Sequence, residues 1–182
     1  SANEDTKFRP RSPYAVAKST AAWHVSTYRD SYNLFACTGY LSNHESTLRH
    51  DRFVTKKIIN GVKNIKSGKL NKLQIGNIDI YRDWGWAPKY VEAMYLILQN
   101  SSPKDYIIAT GKTKSLRFFV EYTFKLANLP FEKYLEISDS FKRPSELEYS
   151  SLNPEKIKCE LNWECTFSLE EIIEKMYFDK EF

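Results

Sequence analysis

Tyr14 and Lys18 stand four positions apart in the run RSPYAVAKS, residues 11–19. Residues at i and i+4 share one face of a helix. A lysine ammonium beside a phenol favours the phenolate, and the tyrosine then becomes a base able to work near neutral pH. Alone, the Y-x-x-x-K spacing is a weak motif, because a surface tyrosine near a surface lysine shows the same pattern. Its meaning depends on what surrounds it.

The elements that must hold the pair are readable around it. Ser12 suits a helix N-cap and Pro13 the first helical position, which predicts a helix from Pro13 to about Tyr32. The apolar run LFACTGYLS after it reads as a buried strand, and NHESTLRHDR as a polar loop. Phe53, Val54, Ile58, Ile59, Val62 and Ile65 recur at helical spacing up to Gly68. A short strand follows in KLQIGN, a polar-aromatic loop in RDWGW, and a helix from Pro88 through Leu98. YIIAT reads as a strand, and the stretch capped by Ser115 as a helix. YLEIS reads as a short strand, and one short helix follows Asn153-Pro154. Ser168 with Glu171 three positions on forms a capping box for a closing helix. Strands alternating with helices predict an α/β architecture with a parallel sheet.

Composition narrows the function. The net charge of +4 comes from 27 basic and 23 acidic residues among 182. The lysines are scattered among nearly as many acids, which argues against a nucleic-acid-binding face. No apolar stretch approaches the ~20 residues needed to span a bilayer, and no membrane partner is expected. Cys37, Cys159 and Cys165 are odd in number and form no C-x-x-C pair, which reads as reduced thiols of a cytoplasmic protein. The three histidines show no metal-ligand spacing, so no metal is expected. With 6 glycines in all, no G-x-G-x-x-G run is present, and the sheet lacks the strand, glycine-rich turn and helix that normally open a dinucleotide-binding fold.

The pattern PRSPYAVAK resembles the catalytic helix of the extended short-chain dehydrogenases, and within them the GDP-mannose 4,6-dehydratase family. NHES (Asn43–Ser46), FVTKKI (Phe53–Ile58), GNIDIYRDWG (Gly76–Gly85), YVEAM, YIIATG and RPSELE (Arg143–Glu148) continue the resemblance in order. NHES and RDWG set the chain apart from UDP-sugar epimerases and other NAD-dependent relatives. The resemblance covers nearly the whole chain, as the C-terminal half of such an enzyme. It implies a partial Rossmann-type parallel sheet with a smaller substrate-binding α/β region, without the N-terminal glycine-rich βαβ units. Residues 1–52 would be the remnant of the Rossmann domain, with the Tyr–Lys helix and the next strand. Residues 53–182 would be mainly the nucleotide-sugar region, with segments returning to the sheet.

The same resemblance implies roles. Tyr14 would take the proton of the sugar C4 hydroxyl, with Lys18 tuning it and bonding the nicotinamide ribose of NADP. His44 and Arg49 fall at positions near that cofactor. Asn43, Lys57, Arg82 and Arg143 would hold the GDP part of GDP-mannose. Glu146 would accept from its ribose hydroxyls, and Asn77 belongs to the same pocket. The family's Thr/Glu catalytic pair has no counterpart here, so the chain alone is expected to be inactive. It would act as a fragment, or as a binding module that complements a separate N-terminal half. An uncovered sheet edge predicts self-association. Trp84 and Trp86 are expected to pack in the core rather than stack on a base, and Lys56, Lys63, Lys66, Lys69 and Lys72 to form a solvated face. The chain departs from the family pattern at Leu48, where a second arginine is usual. It departs also at His50, Trp86 and Lys89, and at Lys112 and Lys114, where the family has acidic or neutral groups.

Overall fold

A computed structural model describes residues 1–141 and 146–180. Among the described residues seven α-helices and seven short strands are interspersed along the chain. Helix α1 spans Pro13–Tyr32, and the Ser12 side chain accepts from the Ala15 amide as its N-cap. Strands β1 (Gly39–Leu41) and β2 (Asn43–Glu45) follow, then α2 (Val54–Lys66), β3 (Leu73–Ile75) and β4 (Tyr81–Trp86). After these come α3 (Ala87–Leu98), β5 (Tyr106–Ile108), β6 (Thr113–Ser115), α4 (Leu116–Ala127) and α5 (Phe131–Tyr134). The chain closes with β7 (Leu135–Ile137), α6 (Glu155–Leu161) and α7 (Leu169–Tyr177). Where glycine is scarce, asparagine serves instead: α1, α4 and α6 each end on a left-handed residue, Asn33, Asn128 and Asn162.

The strands form three small sheets. Strands β1 and β5 pair in parallel, as do β3 and β7. In the third sheet β4 is central, parallel to β2 and antiparallel to β6. Three expectations are corrected here. The run LFACTGYLS is not one strand: Leu34 and Phe35 are exposed, and the chain changes sheets at Ser42. NHE and RDWGW, read as loops, lie in strands β2 and β4, because pairing satisfies their backbones and the polar side chains find buried partners. Lys56 is not on a solvated face, since its ammonium donates to the Thr47 carbonyl at 2.8 Å.

Two apolar clusters hold the elements. The larger joins α2, α4 and α7 over β3 and β4, around Ile58, Phe119, Phe124, Ile172 and Ile173. Trp84 and Trp86 lie buried in it, as core residues. The smaller joins α3, β5 and α6 around Tyr90, Tyr106, Ile157 and Trp163. At Gly85 a Cβ would come within 2.1 Å of the Tyr90 ring, so only glycine lets α3 fold back onto β4 there. The N-terminal segment closes the free edge of β5, with Glu4 Oε1 accepting from the Ile107 amide at 2.8 Å.

Candidate functional site

Helix α1 carries the Tyr–Lys pair on an open face. Tyr14 is 71% exposed, and the Lys18 ammonium lies 5.7 Å from its ring centroid. The i, i+4 geometry therefore forms as the spacing predicts. Tyr14 Oη points at no described partner; what would orient it is a ligand or a covering segment.

Strand β2 and the loop after it carry the next group. Asn43 is exposed at the start of β2. His44 Nδ1 lies 3.0 Å from the Ser42 carbonyl, which can only accept, so Nδ1 holds the proton and Nε2 is left as an acceptor. The imidazole leans on the Tyr90 ring at 5.3 Å. Arg49 is not a solvated cation: its guanidinium stacks on Phe53 at 3.7 Å, with Nε 3.2 Å from Glu45 Oε2. Glu45 is 1% exposed and accepts from Thr55 Oγ1 at 2.9 Å. Burial pushes its carboxyl up to about 7, against the pull of Arg49 and Thr55. The sequence reading passed over Glu45, although it stands inside NHES. Its signal was an acid at an inward-facing position of a short alternating strand.

The remaining residues gather along one flank. Lys57 lies in the first turn of α2, where the helix dipole repels a cation unless an anion lies near. Its ammonium sits 3.8 Å from the Phe141 ring centroid, and burial holds its pKa below the usual lysine value. Residues 138–141 pack beside it. Ser138 N donates to Ile75 O, and the Phe141 carbonyl approaches Gly76 so closely that a Cβ there would lie 2.9 Å from it. Further along, Tyr81 N donates to Glu148 O, and Ser150 N to Tyr81 O. Arg82 Nη1 donates to the Tyr81 carbonyl at 2.7 Å and reaches the Glu148 carbonyl at 3.4 Å. Residues 138–141 thus lie by Lys57 and Gly76, residues 148–150 lie by Tyr81 and Arg82, and Glu146 is part-buried. Asn77, beside Gly76, accepts from the Asp79 amide at 2.9 Å, a turn-fixing bond. Arg143 lies outside the described residues.

A polar node that was not singled out in the sequence holds these strands in register. Asp83 is 2% exposed. Its Oδ1 accepts from Ser42 Oγ at 2.9 Å, Thr110 N at 3.1 Å and Thr110 Oγ1 at 2.9 Å, and its Oδ2 from Gly111 N at 2.8 Å. Ser42 gives its one proton to Asp83, so Tyr90 Oη, 2.6 Å away, donates to Ser42. Burial raises the Asp83 pKa, and the donors from Thr110, Ser42 and Gly111 oppose that. The carboxylate ties the residue before Asn43 to β4, to the end of β5 and to α3. It is a positioning residue for β2.

With this geometry in hand, the comparisons with known proteins are specific. The family model for GDP-mannose 4,6 dehydratase matches residues 1–176. The GDP-mannose 4,6 dehydratase of Dictyostelium discoideum is 43% identical, over 96% of this chain and 54% of its own length. GDP-mannose 4,6 dehydratase 2 of Arabidopsis thaliana is 41% identical, over 98% of this chain and 48% of its own length. The human GDP-mannose 4,6 dehydratase is 39% identical, over 95% and 51% respectively. The chain thus spans about half the length of the curated relatives it matches. Among solved structures, RMD from Pseudomonas aeruginosa complexed with NADPH superposes with a TM-score of 0.84 at 22% identity, over 98% of this chain and 58% of that one. The Thermus thermophilus UDP-glucose 4-epimerase complex with NAD gives 0.82 at 22%, over 100% and 58%. These structures share the fold, an α/β arrangement matched over part of their length. The sequence matches go further than fold, and by them the chain belongs to the GDP-mannose 4,6-dehydratase family.

Proposed function

We propose that this chain is the nucleotide-sugar-binding and Tyr–Lys part of a GDP-mannose 4,6-dehydratase, a lyase that forms GDP-4-keto-6-deoxymannose. The observation that carries this reading is that Lys57, in the first turn of α2, lies by Phe141, and Arg82, on β4, lies by Glu148. Two cations suit the two phosphates of GDP. Asn43, Asn77, Arg143 and Glu146 complete the substrate side of the assignment, with Glu146 as an acceptor for ribose hydroxyls. Residues 1–52 are read as Rossmann-domain remnant and residues 53–182 as mainly substrate region.

A nicotinamide cofactor, NADP, fits the residues present in part. Its nicotinamide would take up a hydride from the sugar C4 and return it at C6 once the C5 proton and the C6 hydroxyl have left as water. Tyr14 accepts the C4 hydroxyl proton, and Lys18 holds the proton balance on Tyr14 and bonds the ribose. His44 and Arg49 are assigned to the cofactor by their positions in the family pattern, with His44 held at Ser42 O and Arg49 stacked on Phe53. A glycine-rich phosphate cradle is missing from this sequence. We therefore expect the chain alone to bind GDP-mannose without turning it over.

Calorimetric titration with GDP-mannose, with GDP and UDP-glucose as controls, tests this. Saturable binding selective for the guanosine ligands supports the reading, and equal or absent binding removes it. A second reading, an assembly module completed by an N-terminal half or a second copy in a cytoplasmic complex, is favoured by the exposed aromatic surface of α1. Light scattering with and without such a half distinguishes the two. None of the described helices is long and apolar enough to cross a membrane.

A further inference from the structure

Arg49 is gripped at one end, and among the described residues its other end has no acceptor. The Phe53 ring lies under its guanidinium, with Cζ 3.7 Å from the ring centroid. Glu45 Oε2 lies 3.2 Å from Nε. Nε is buried and no acceptor is in line with its N–H, so the Glu45 contact is one of charge and not a hydrogen bond. No described residue accepts from Nη1 or Nη2, the fork of the guanidinium. The ring is itself held. Phe53 N donates to His50 O, and Phe53 O accepts from Lys57 N at the head of α2. Arg52 lies over the same ring at the longer range of 5.1 Å, on an exposed residue.

A mobile arginine loses rotamer freedom when it closes on a ligand. A guanidinium stacked on a fixed ring has lost it in advance, and its planar fork matches two oxygens of a phosphate. We propose that Phe53 is a positioning residue, whose ring holds the Arg49 guanidinium ready for a phosphate group of a nucleotide ligand. The proposal rests on the reading of Arg49 as a ligand-binding residue and names what holds it. Phe53 carries no charge, so removing its ring changes the grip on Arg49 and leaves the local charge as it was.

NADPH, NADH and GDP-mannose, each titrated against the whole chain, are the probes. Arg49→Ala should weaken at least one of them roughly tenfold, the loss of one charged contact. A loss for NADPH alone places the fork at the phosphate that NADH lacks. A loss for both places it at the cofactor diphosphate, and a loss for GDP-mannose alone places it on the substrate. Phe53→Leu should weaken the same ligand about threefold, the worth of an exposed cation–π contact, and Phe53→Tyr should restore it. Phe53→Leu should add nothing once Arg49 is alanine, since the ring then has nothing to hold. Arg49→Lys keeps the charge but gives up the stacked fork, and should also lose about threefold or more. It decides the matter even where Phe53→Leu, checked by circular dichroism, fails to fold. If Arg49→Ala weakens a ligand while Phe53→Leu or Arg49→Lys matches the parent, the positioning role is overturned and Arg49 as a ligand residue stands. A loss in Arg52→Ala as large as that in Arg49→Ala makes the effect one of net charge and overturns the role too. If Arg49→Ala binds every ligand as the parent does, or the parent binds none, both fall.

Discussion

Helices α1 and α7 are held by opposite means. In α7, nine residues long, Leu169, Ile172, Ile173, Met176 and Tyr177 are buried. In α1, twenty residues long, only Ala22 is buried, while Tyr14, Val16, Trp23, Tyr28 and Tyr32 are exposed. What fixes α1 is polar: Arg29 forms a bidentate pair with Asp105 at 2.7 and 3.0 Å and also donates to Ala36 O. One helix is part of a core. The other is a platform that presents a reactive pair and is anchored at its far end. The difference separates what stabilises this chain from what would let it act.

The largest effect that tests this contrast belongs to the core. Phe119 is fully buried between Trp84 and the helices around it. Phe119→Ala should cost about 3–5 kcal/mol by lost transfer energy and the cavity left behind. Thermal denaturation followed by circular dichroism measures it. A cost near that of a surface substitution would mean the α2–α4–α7 cluster is not the stabilising core.

Glu45 gives the next effect, and its sign follows from burial. Its folded carboxyl titrates at about 7, above the ordinary glutamate range. The folded state holds the proton more tightly than the unfolded one, so stability falls as pH rises from about 4.3 to 7, by on the order of 3 kcal/mol. Glu45→Gln keeps the shape and removes the titration, so its stability should vary less with pH across that window. Denaturant midpoints taken at several pH values show the slope. An unchanged slope in the variant would assign the pH dependence to another group.

The contrast also explains what the sequence revealed. Helices α1, α4 and α7 were readable because each opens on a serine cap, Ser12, Ser115 and Ser168, whose signal is local. Strands β2, β4 and β6 were not, because three-residue and polar strands have no periodicity to speak of. What makes them strands is a partner elsewhere in the chain, as Asp83 is held by Ser42, Thr110 and Gly111. The site residues came from motif resemblance, which names positions but not partners. It therefore missed that Arg49 is stacked on Phe53 and paired to Glu45, and that Arg82 faces Lys114.

Arg29→Ala should remove the anchor of α1 and leave the core alone, at a cost of about 1–2 kcal/mol. Hydrogen exchange should rise along α1 and stay unchanged in α4 and α7. Acid should mimic it. Burial raises the Asp105 carboxyl, but the Arg29 and Thr38 hydrogen bonds outweigh that and hold it below the usual aspartate range. Its contribution is therefore present above about 3.9 and is lost as pH falls through the lower folded value. Uniform exchange across α1 and α7 in either experiment would end the distinction between them.

The smallest effect is the most discriminating. Trp23 is an exposed aromatic on α1, and in an isolated chain Trp23→Ser should change stability by no more than about 0.5 kcal/mol. The same substitution matters if something covers α1. A cost that grows with protein concentration would show that two copies meet through this helix, since a partner that binds only the folded chain stabilises it by mass action. A small cost at every concentration keeps α1 as an open platform. The exposed Tyr14–Lys18 face would then wait for ligand or for a covering half, and the stability of the chain would rest on its two apolar clusters and not on this face.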